Sequence, residues 1–211
     1  MTISDYFNRH KDEVAVVIGN GPSLRDIPLH FLTEYPTFGS NRVYLHFVPS
    51  YLVCVNPLVL EQFSREIQPL PCEKFIPYGW GIDGHYLTSS RRREFSYRPD
   101  QWVYEGYTVT FVSLQLAFWM GFKTVLLVGV DHRYAYDGKP NKETIMTGDD
   151  PNHFDPEYFK GARWNNPDLL MSEQAYGLAE IAYRQHGRKV INLTAGSDLN
   201  VFEKQELEAW L

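Results

Sequence analysis

The chain has 211 residues and a mass of 24.6 kDa, which fits one domain with a full apolar core. Its residues are 44% hydrophobic and 22% charged, a composition that excludes disordered, collagen-like and coiled-coil proteins. The net charge of −6 argues against a nucleic-acid partner, because a polyanion is attracted by the opposite sign. The chain has two cysteines and no Cys-x-x-Cys pair, which predicts a reduced protein. An N-terminus without a signal-peptide pattern and apolar runs too short to cross a bilayer predict a cytoplasmic location.

Short apolar runs that end in turn residues predict parallel strands in the first third of the chain. Residues Val14–Ile18 form a continuous apolar run that stops at Gly19, as expected of a strand buried on both faces. Thr37–Asn41 and Tyr51–Asn56 predict two further strands, each with a polar residue at its end. A weaker strand at Lys74–Pro77 contains a proline, which predicts an edge position or a strand end.

The middle of the chain predicts a helix followed by a strand. Apolar residues at helical spacing run from Val109 to Met120, Gly121 ends that helix, and Thr124–Gly129 predicts a buried strand. The last third predicts a helix that starts with Ser172 as its N-cap and ends at Arg184 before Gly187, a strand Lys189–Leu193 and a terminal helix Glu203–Leu211.

This alternation of strands and helices predicts a single α/β domain over residues 1–211. We expect a Rossmann-like, mostly parallel sheet with helices on both faces. The stretches 79–105 and 133–168 lack periodicity, and long irregular segments in compact domains are usually functional. We therefore expect both as long loops over a ligand crevice at the carboxyl edge of the sheet.

The first strand runs directly into the sequence Gly19-Asn20-Gly21-Pro22-Ser23. Glycines let the backbone approach a ligand, so exposed N–H groups in this turn are candidates for holding a phosphate. The segment is neither a Walker A loop nor a complete dinucleotide fingerprint. An ordinary turn between a strand and a helix is the alternative interpretation.

Asparagines end each of the first three predicted strands, at Asn20, Asn41 and Asn56. In a doubly wound sheet these positions meet at one crevice, where amides can bind a base, a ribose or a phosphate. Each asparagine alone is equally compatible with a turn or a helix cap. Asp131 follows the buried strand and is a candidate ribose or metal ligand, a base, or a loop cap.

Further titratable residues cluster after that strand and in the second long loop. His132, Arg133 and Tyr134 add capacity for phosphate binding and proton transfer. His153 lies in a polar, acidic stretch, where it is either a catalyst or a surface or hydrogen-bonding residue. The run Arg91–Arg93 is a solvated segment or a contact for an anionic substrate. No Asp-x-Asp pair or Gly-x-Ser-x-Gly elbow supports a metal–diphosphate clamp or a hydrolase.

Several of these segments resemble the bacterial lipooligosaccharide sialyltransferases. The similar parts are Val17–Leu24, Ser40–Tyr44, Val55–Pro57 with Glu61-Gln62, and the block Thr108–Asp131. The resemblance implies that the asparagines help to bind a CMP-sugar. This chain departs from that family at Val109-Thr110, where the sialyltransferases carry a Ser-Gly pair.

The block Thr108–Asp131 also resembles the family of domains named after 6-hydroxymethylpterin diphosphokinase, together with Asp131-His132, His153-Phe154, Tyr158-Phe159 and Ala175-Tyr176. That family occurs in surface-polysaccharide and flagellin-glycosylation clusters. The chain lacks an Asp-Leu-Asp segment of the type that holds Mg²⁺ for diphosphoryl transfer.

The resemblances imply a glycosyltransferase-like enzyme that takes a nucleotide-activated sugar for surface glycan synthesis, and the sialyltransferase resemblance implies a CMP-sugar. The acceptor is then a glycan, through which the protein would approach a membrane peripherally, and no cofactor is required. An ATP- and Mg²⁺-dependent pterin diphosphokinase and a non-catalytic nucleotide- or glycan-binding domain are the alternatives. The predicted base is His153 or, failing that, His132, and the predicted donor-site residues are Gly19, Asn20, Gly21, Pro22, Ser23, Asn41, Arg42, Asn56, Thr108, Thr110, Asp131, Arg133 and Tyr134.

Overall fold

A computed structural model describes residues 2–90 and 92–211. Their main element is an eight-stranded sheet in which every neighbouring pair is parallel. From one edge to the other, its strands are β12 (Glu203–Lys204), β11 (Lys189–Asn192), β8 (Thr124–Val128), β1 (Val14–Ile18), β2 (Thr37–Ser40), β3 (Tyr51–Val53), β4 (Glu73–Pro77) and β5 (His85–Leu87). The predicted parallel α/β fold is confirmed.

Helices and two small strand pairs complete the described chain. The helices are α1 (Leu29–Thr33), α2 (Pro57–Ile67), α3 (Val109–Trp119) and α4 (Leu169–Gln185), with 3-10 turns at Ile3–Tyr6, Pro22–Asp26, Val43–Leu45 and Leu207–Trp210. The small pairs are β6 (Ser89–Ser90) with β7 (Val103–Tyr104), and β9 (Glu143–Ile145) with β10 (Arg163–Asn165).

The central strand shows why the sheet is covered on both faces. Successive side chains of a strand point to opposite faces, and in β1 all of those from Ala15 to Ile18 are buried. Ala15 and Val17 share one apolar cluster with α3 and α4, whereas Val16 and Ile18 share the other with α1 and α2. The predicted helices on both faces are confirmed, and every residue of α3 from Thr110 onwards is buried.

The chain order of the strands reverses next to β1. From β1 the chain adds β2 to β5 on one side, and then α3 carries it back to β8 on the other side of β1. Such a switch point opens a crevice at the carboxyl ends of the two strands. The Gly19–Gly21 turn after β1 and Asp131 after β8 therefore lie at this crevice.

Some element bounds differ from those predicted from the sequence. Helix α4 begins at Leu169 rather than after Ser172, because the Asp168 carboxylate caps it by accepting a hydrogen bond from the Met171 N–H at 3.1 Å. The predicted terminal helix is wrong, since its first residues pair with β11 as strand β12. Strand β4 is not at the edge, and Pro77 is its last residue.

The two irregular segments have different places in the fold. Much of residues 133–168 covers the carboxyl edge of the sheet, as predicted. The segment 79–105 instead contributes the edge strand β5 and the pair β6–β7, and among its described residues Glu105 lines the crevice, so the prediction for this segment is confirmed only there. In the described part of the chain, no helix is both long and apolar enough to cross a membrane.

Candidate nucleotide-sugar site

A cavity of about 660 Å³ opens at the carboxyl ends of β1, β2, β3 and β8. This volume lies in the range of pockets that hold cofactor-sized ligands. Asn20, Asn41 and Asn56 all line it, which confirms the prediction that the three strand ends share one crevice. The starts of α3 and α4 and parts of the segment 133–168 form the remaining walls.

The three asparagines differ in which polar atoms they leave for a ligand. The Asn20 amide donates to the carbonyl and hydroxyl oxygens of Ser40, at 3.2 and 2.9 Å, and its Oδ1 is buried without a partner. Asn41 Oδ1 accepts from the Cys54 thiol at 3.5 Å, and Asn56 Oδ1 caps α2. Within the described residues, the Nδ2 groups of Asn41 and Asn56 have no partner and remain donors at the cavity wall.

Glycines allow the two central strand ends to approach each other. A Cβ on Gly19 would lie 2.3 Å from the carbonyl oxygen of Gly129, and one on Gly21 would lie 1.8 Å from an Asp131 carboxylate oxygen. That carboxylate accepts hydrogen bonds from the Ser23 hydroxyl at 2.7 Å and N–H at 3.2 Å. Gly21 and Ser23 thus fix Asp131, and Asp131 itself faces the cavity.

The first turn of α3 supplies a second set of donors. Gly106 and Tyr107 both have left-handed backbones, with φ of 58° and 61°, and direct the chain into Thr108, the N-cap residue. Thr108 makes no capping hydrogen bond with its side chain, whose oxygen lies 3.3 Å from the Tyr176 hydroxyl. Thr108 and Thr110 line the cavity, and a helix start without a side-chain cap favours negative charge there.

His153 is held in place by a buried carboxylate. Its Nδ1 lies 2.8 Å from Oδ2 of Asp150, whose side chain is 0% exposed. Oδ1 of Asp150 accepts the N–H of Asn152 at 2.9 Å, and the His153 ring stacks on Tyr158 with centroids 4.1 Å apart. Because a carboxylate only accepts, Nδ1 carries a hydrogen, so in the neutral tautomer of the ring the lone pair is on Nε2. Among the described residues Nε2 has no partner, and His153 lines the cavity.

Two arginines fasten the His153 loop to the sheet. Arg25 donates to the backbone carbonyls of Phe154 and His153, at 2.5 and 3.2 Å. Arg42 donates through its guanidinium to the carbonyl of Tyr158 and through its backbone N–H to the Tyr158 hydroxyl. His153 lies in the irregular segment 133–168, as predicted, but its side chain is only 12% exposed and packs against aromatic rings.

His132 faces the cavity in a different environment. It has a left-handed backbone, with φ of 54°, and its ring contacts the edge of Tyr176. Burial lowers its pKa, an effect that the charges of Glu173 and Asp198 partly offset, so the ring is neutral near pH 7. Tyr134 also lines the cavity, and burial raises the pKa of its hydroxyl, which therefore stays protonated.

Some of the predicted donor-site residues do not reach the cavity wall. Gly21, Pro22 and Ser23 form the start of the 3-10 turn, and Ser23 contacts the cavity residue Asp131 through its hydroxyl and N–H. Arg42 is used in anchoring Tyr158 and stacks over Phe63 at 4.0 Å. Arg133 points away from the cavity and forms a two-fold ion pair with Asp198, with both bonds at 2.8 Å.

The structure also brings residues to the site that the sequence did not single out. Asp150 is the most consequential, and its signal was a carboxylate three residues before a histidine in a Pro- and Asn-containing turn. Tyr107 lines the cavity mouth and is 46% exposed. The sequence Asn165-Asn166, just before α4, adds amides to the wall, and Asn166 Nδ2 donates to the carbonyls of Asp137 and Lys139.

The charges of the cavity wall are mostly negative. Its carboxylates come from Glu105, Asp131 and Asp168, and within the described residues no lysine or arginine lines it. Residues 2–90 and 92–211 also contain no group of three His, Cys, Asp or Glu side chains arranged to hold a metal ion.

Two glycosyltransferases are among the solved structures that share this architecture. The chain matches the Maf glycosyltransferase from Magnetospirillum magneticum AMB-1 at a TM-score of 0.61 and 15% identity, over 99% of this chain and 38% of that one. It matches the sialyltransferase CstII from Campylobacter jejuni, solved with the substrate analogue cytidine-5'-monophosphate, at a TM-score of 0.50 and 15% identity, over 92% and 85% of the chains. The chain shares the fold of these two enzymes.

These likenesses concern the fold, since the identities are low. No protein-family model matches the chain, and no curated protein matches it. The resemblance to the pterin diphosphokinase-like domains therefore stays a prediction. The chain spans 38% of the Maf protein, a little over a third of its length.

Proposed function

We propose that this protein transfers a sugar from a nucleotide-activated donor, of the CMP-sugar type, to a glycan acceptor for surface glycan synthesis. One observation carries the proposal. The Nε2 atom of His153, oriented by a buried carboxylate, belongs to the same cavity as the strand-end asparagines and the uncapped start of α3. A base and a set of neutral donors for an anion thus border one space.

The donor groups of the wall suit a nucleotide with a single phosphate. The amide donors of Asn41 and Asn56 and the first N–H groups of α3 can each stabilise an anionic oxygen. Since no basic side chain of the described wall neutralises charge, a monophosphate diester, with one negative charge, fits this cavity better than a diphosphate. The fold neighbour CstII, solved with a cytidine monophosphate, supports the same donor class.

The chemistry is an inverting displacement at the anomeric carbon. The acceptor hydroxyl oxygen forms the new glycosidic bond while the bond from the anomeric carbon to the phosphate oxygen breaks. Its electron pair leaves with the nucleoside monophosphate, and the hydroxyl proton passes to Nε2 of His153. Asp150 then faces the imidazolium across Nδ1 and stabilises its charge. The donors at the start of α3 stabilise the charge that develops on the leaving phosphate.

His132 is the alternative base, because its ring is neutral near pH 7 and lines the same cavity. Nothing in the described chain hydrogen-bonds to either of its ring nitrogens, so its orientation is set by packing alone. His153 is better oriented for proton transfer, and we assign the base to it.

Nucleotide binding tests the donor class. Calorimetric titrations with CMP, CDP, UDP, GDP and ATP, each with Mg²⁺ and with EDTA, should show CMP as the tightest ligand and EDTA without effect. Binding of ATP alone with a strict Mg²⁺ requirement would refute the proposal in favour of a diphosphokinase.

Turnover tests the base. His153→Asn keeps an amide donor near Asp150 and removes the lone pair at Nε2, so we expect unchanged CMP binding and a loss of transfer of about 10²–10⁴-fold. His132→Gln serves as the matched variant and should retain most of the transfer rate. The reverse pattern would move the base to His132.

A further inference from the structure

A second, smaller cavity adjoins the mouth of the large one. It measures about 20 Å³ and shares the wall residues Gly106 and Tyr107 with the large cavity. Its floor is apolar, from Phe111, Met171, Ala175 and Leu178, and its rim carries Arg92, Arg93 and Glu94. A molecule that extends out of the large cavity past Tyr107 therefore approaches Arg92 and Arg93.

Tyr107 is the divider between the two cavities. Its side chain is nearly half exposed. Its backbone is left-handed, a conformation that bulky residues rarely adopt. Strained residues of this kind persist where the surrounding structure fixes them, often at ligand clamps. The face of an exposed phenol ring offers an apolar surface against which the C–H face of a sugar ring packs.

The arginines provide the positive charge that the large cavity lacks. Both side chains are exposed, and neither forms an ion pair with a carboxylate of the described chain. The nearby Glu94 carboxylate is engaged by the Tyr104 hydroxyl at 2.7 Å. Planar guanidinium groups suit carboxylate and phosphate oxygens, which they bind through paired N–H donors. Of the predicted run Arg91–Arg93, the first residue lies outside the described residues.

We propose that Tyr107, Arg92 and Arg93 form an acceptor subsite for a sugar that carries an anionic group. Tyr107 packs against the acceptor ring, and the arginines bind its carboxylate or phosphate. This assignment rests on the proposed function, since it takes the large cavity as the donor site. The acidic wall of that cavity favours placing the acceptor's negative group outside it, at the arginines.

Binding of charged and neutral disaccharides tests the subsite without turnover. The probes are digalacturonic acid, a phosphorylated galactobiose and neutral galactobiose, titrated into the CMP-saturated and the free protein. We expect the charged probes to bind the wild type at least tenfold more tightly than the neutral one. The better of the two charged probes identifies the anionic group as carboxylate or phosphate.

Variants assign that preference to residues. The double variant Arg92→Gln/Arg93→Gln should lose the tenfold preference, and Tyr107→Asn, which tolerates the left-handed backbone, should weaken all three probes at least threefold. Arg65→Gln, an exposed charge at the far end of α2, is the matched control and should bind as the wild type does. Melting temperatures of all variants verify folding.

The possible results distinguish failure of the acceptor-subsite proposal from failure of the glycosyltransferase proposal. Equal affinity of the wild type for charged and neutral probes, or a preference that survives in the double variant, would overturn the subsite. Charged probes that bind through the arginines to a protein that does not bind CMP would preserve the subsite and refute the glycosyltransferase proposal.

Discussion

The replacement Asp150→Asn should change which ring nitrogen of His153 carries the hydrogen while the loop around it stays folded. Asp150 accepts two hydrogen bonds, one from the backbone N–H of Asn152 and one from Nδ1 of His153. An amide has one accepting oxygen, and the backbone N–H can only donate, so that oxygen must face Asn152. The amide N–H₂ then faces Nδ1, which becomes an acceptor. The hydrogen moves to Nε2, and the lone pair that faces the cavity is lost.

Asp150→Asn affects the turnover rate and the stability of the fold by different amounts. Loss of a general base lowers turnover by about 10²–10⁴-fold, equivalent to about 3–5 kcal/mol of transition-state stabilisation. Two charge-assisted hydrogen bonds become neutral, which costs roughly 2 kcal/mol, partly offset because no charge is buried any longer. We therefore expect a melting temperature within about 6 °C of the wild type, at about 2–4 °C per kcal/mol for this chain length.

Enzyme kinetics and NMR test the two expected effects of Asp150→Asn. Nucleotide release from a CMP-sugar, with and without acceptor, gives kcat and KM, and we expect kcat to fall while KM stays within about threefold. Nitrogen-15 NMR of the histidine rings reports which nitrogen of His153 carries the hydrogen, with His153→Asn to assign the signal. A wild-type ring with its hydrogen on Nε2, or a normal kcat in the variant, would refute the reasoning.

Three further predictions concern other parts of the site. Gly19→Ala places a Cβ 2.3 Å from the Gly129 carbonyl and should destabilise the protein by about 2–3 kcal/mol, whereas Gly148→Ala, with open space around it, should leave the melting temperature unchanged. Asn56→Asp retains the cap of α2 but replaces the Nδ2 donor by a negative charge, so CMP affinity measured by titration should fall at least tenfold at a constant melting temperature. Burial lowers the pKa of His46, so the unfolded chain binds the proton more readily, and the free energy of unfolding should decrease as pH falls below about 6.5. Urea titrations should show a weaker pH slope in His46→Gln than in the wild type, and equal slopes in the two proteins would contradict this explanation.

The sequence predicted the elements whose burial leaves a continuous or periodic apolar pattern. Val14–Ile18 is apolar throughout because both faces of β1 are covered, and α3 is recognisable because Gly121, with φ of 92°, ends it. Strand β12 has two exposed residues, whose position is set by hydrogen bonds to β11. A pattern of two residues has no period, so that strand was not predictable.

Asparagine positions were predictable and arginine contacts were not, for one physical reason. The ends of parallel strands converge by topology alone, so the placement of Asn20, Asn41 and Asn56 followed from the strand order. The target of a long arginine side chain depends on contacts distant in sequence. Arg42 reaches Tyr158 and Arg133 reaches Asp198, and neither partner could be inferred from charge.

The main chain ties the proposed base to the proposed donor turn. The carbonyl of Asn20 accepts the N–H of Phe154 at 2.9 Å, so the residue next to His153 is bonded to the turn that ends β1. Arg25, which follows the same turn, holds the carbonyls of both Phe154 and His153. These bonds form within the protein itself, so the energy of donor binding is not needed to place His153 beside the strand ends. At His153 the long loop 133–168 is therefore a built part of the site. Three hydrogen bonds, accepted by the carbonyls of Asn20, His153 and Phe154, connect it to the turn after β1 and to Arg25.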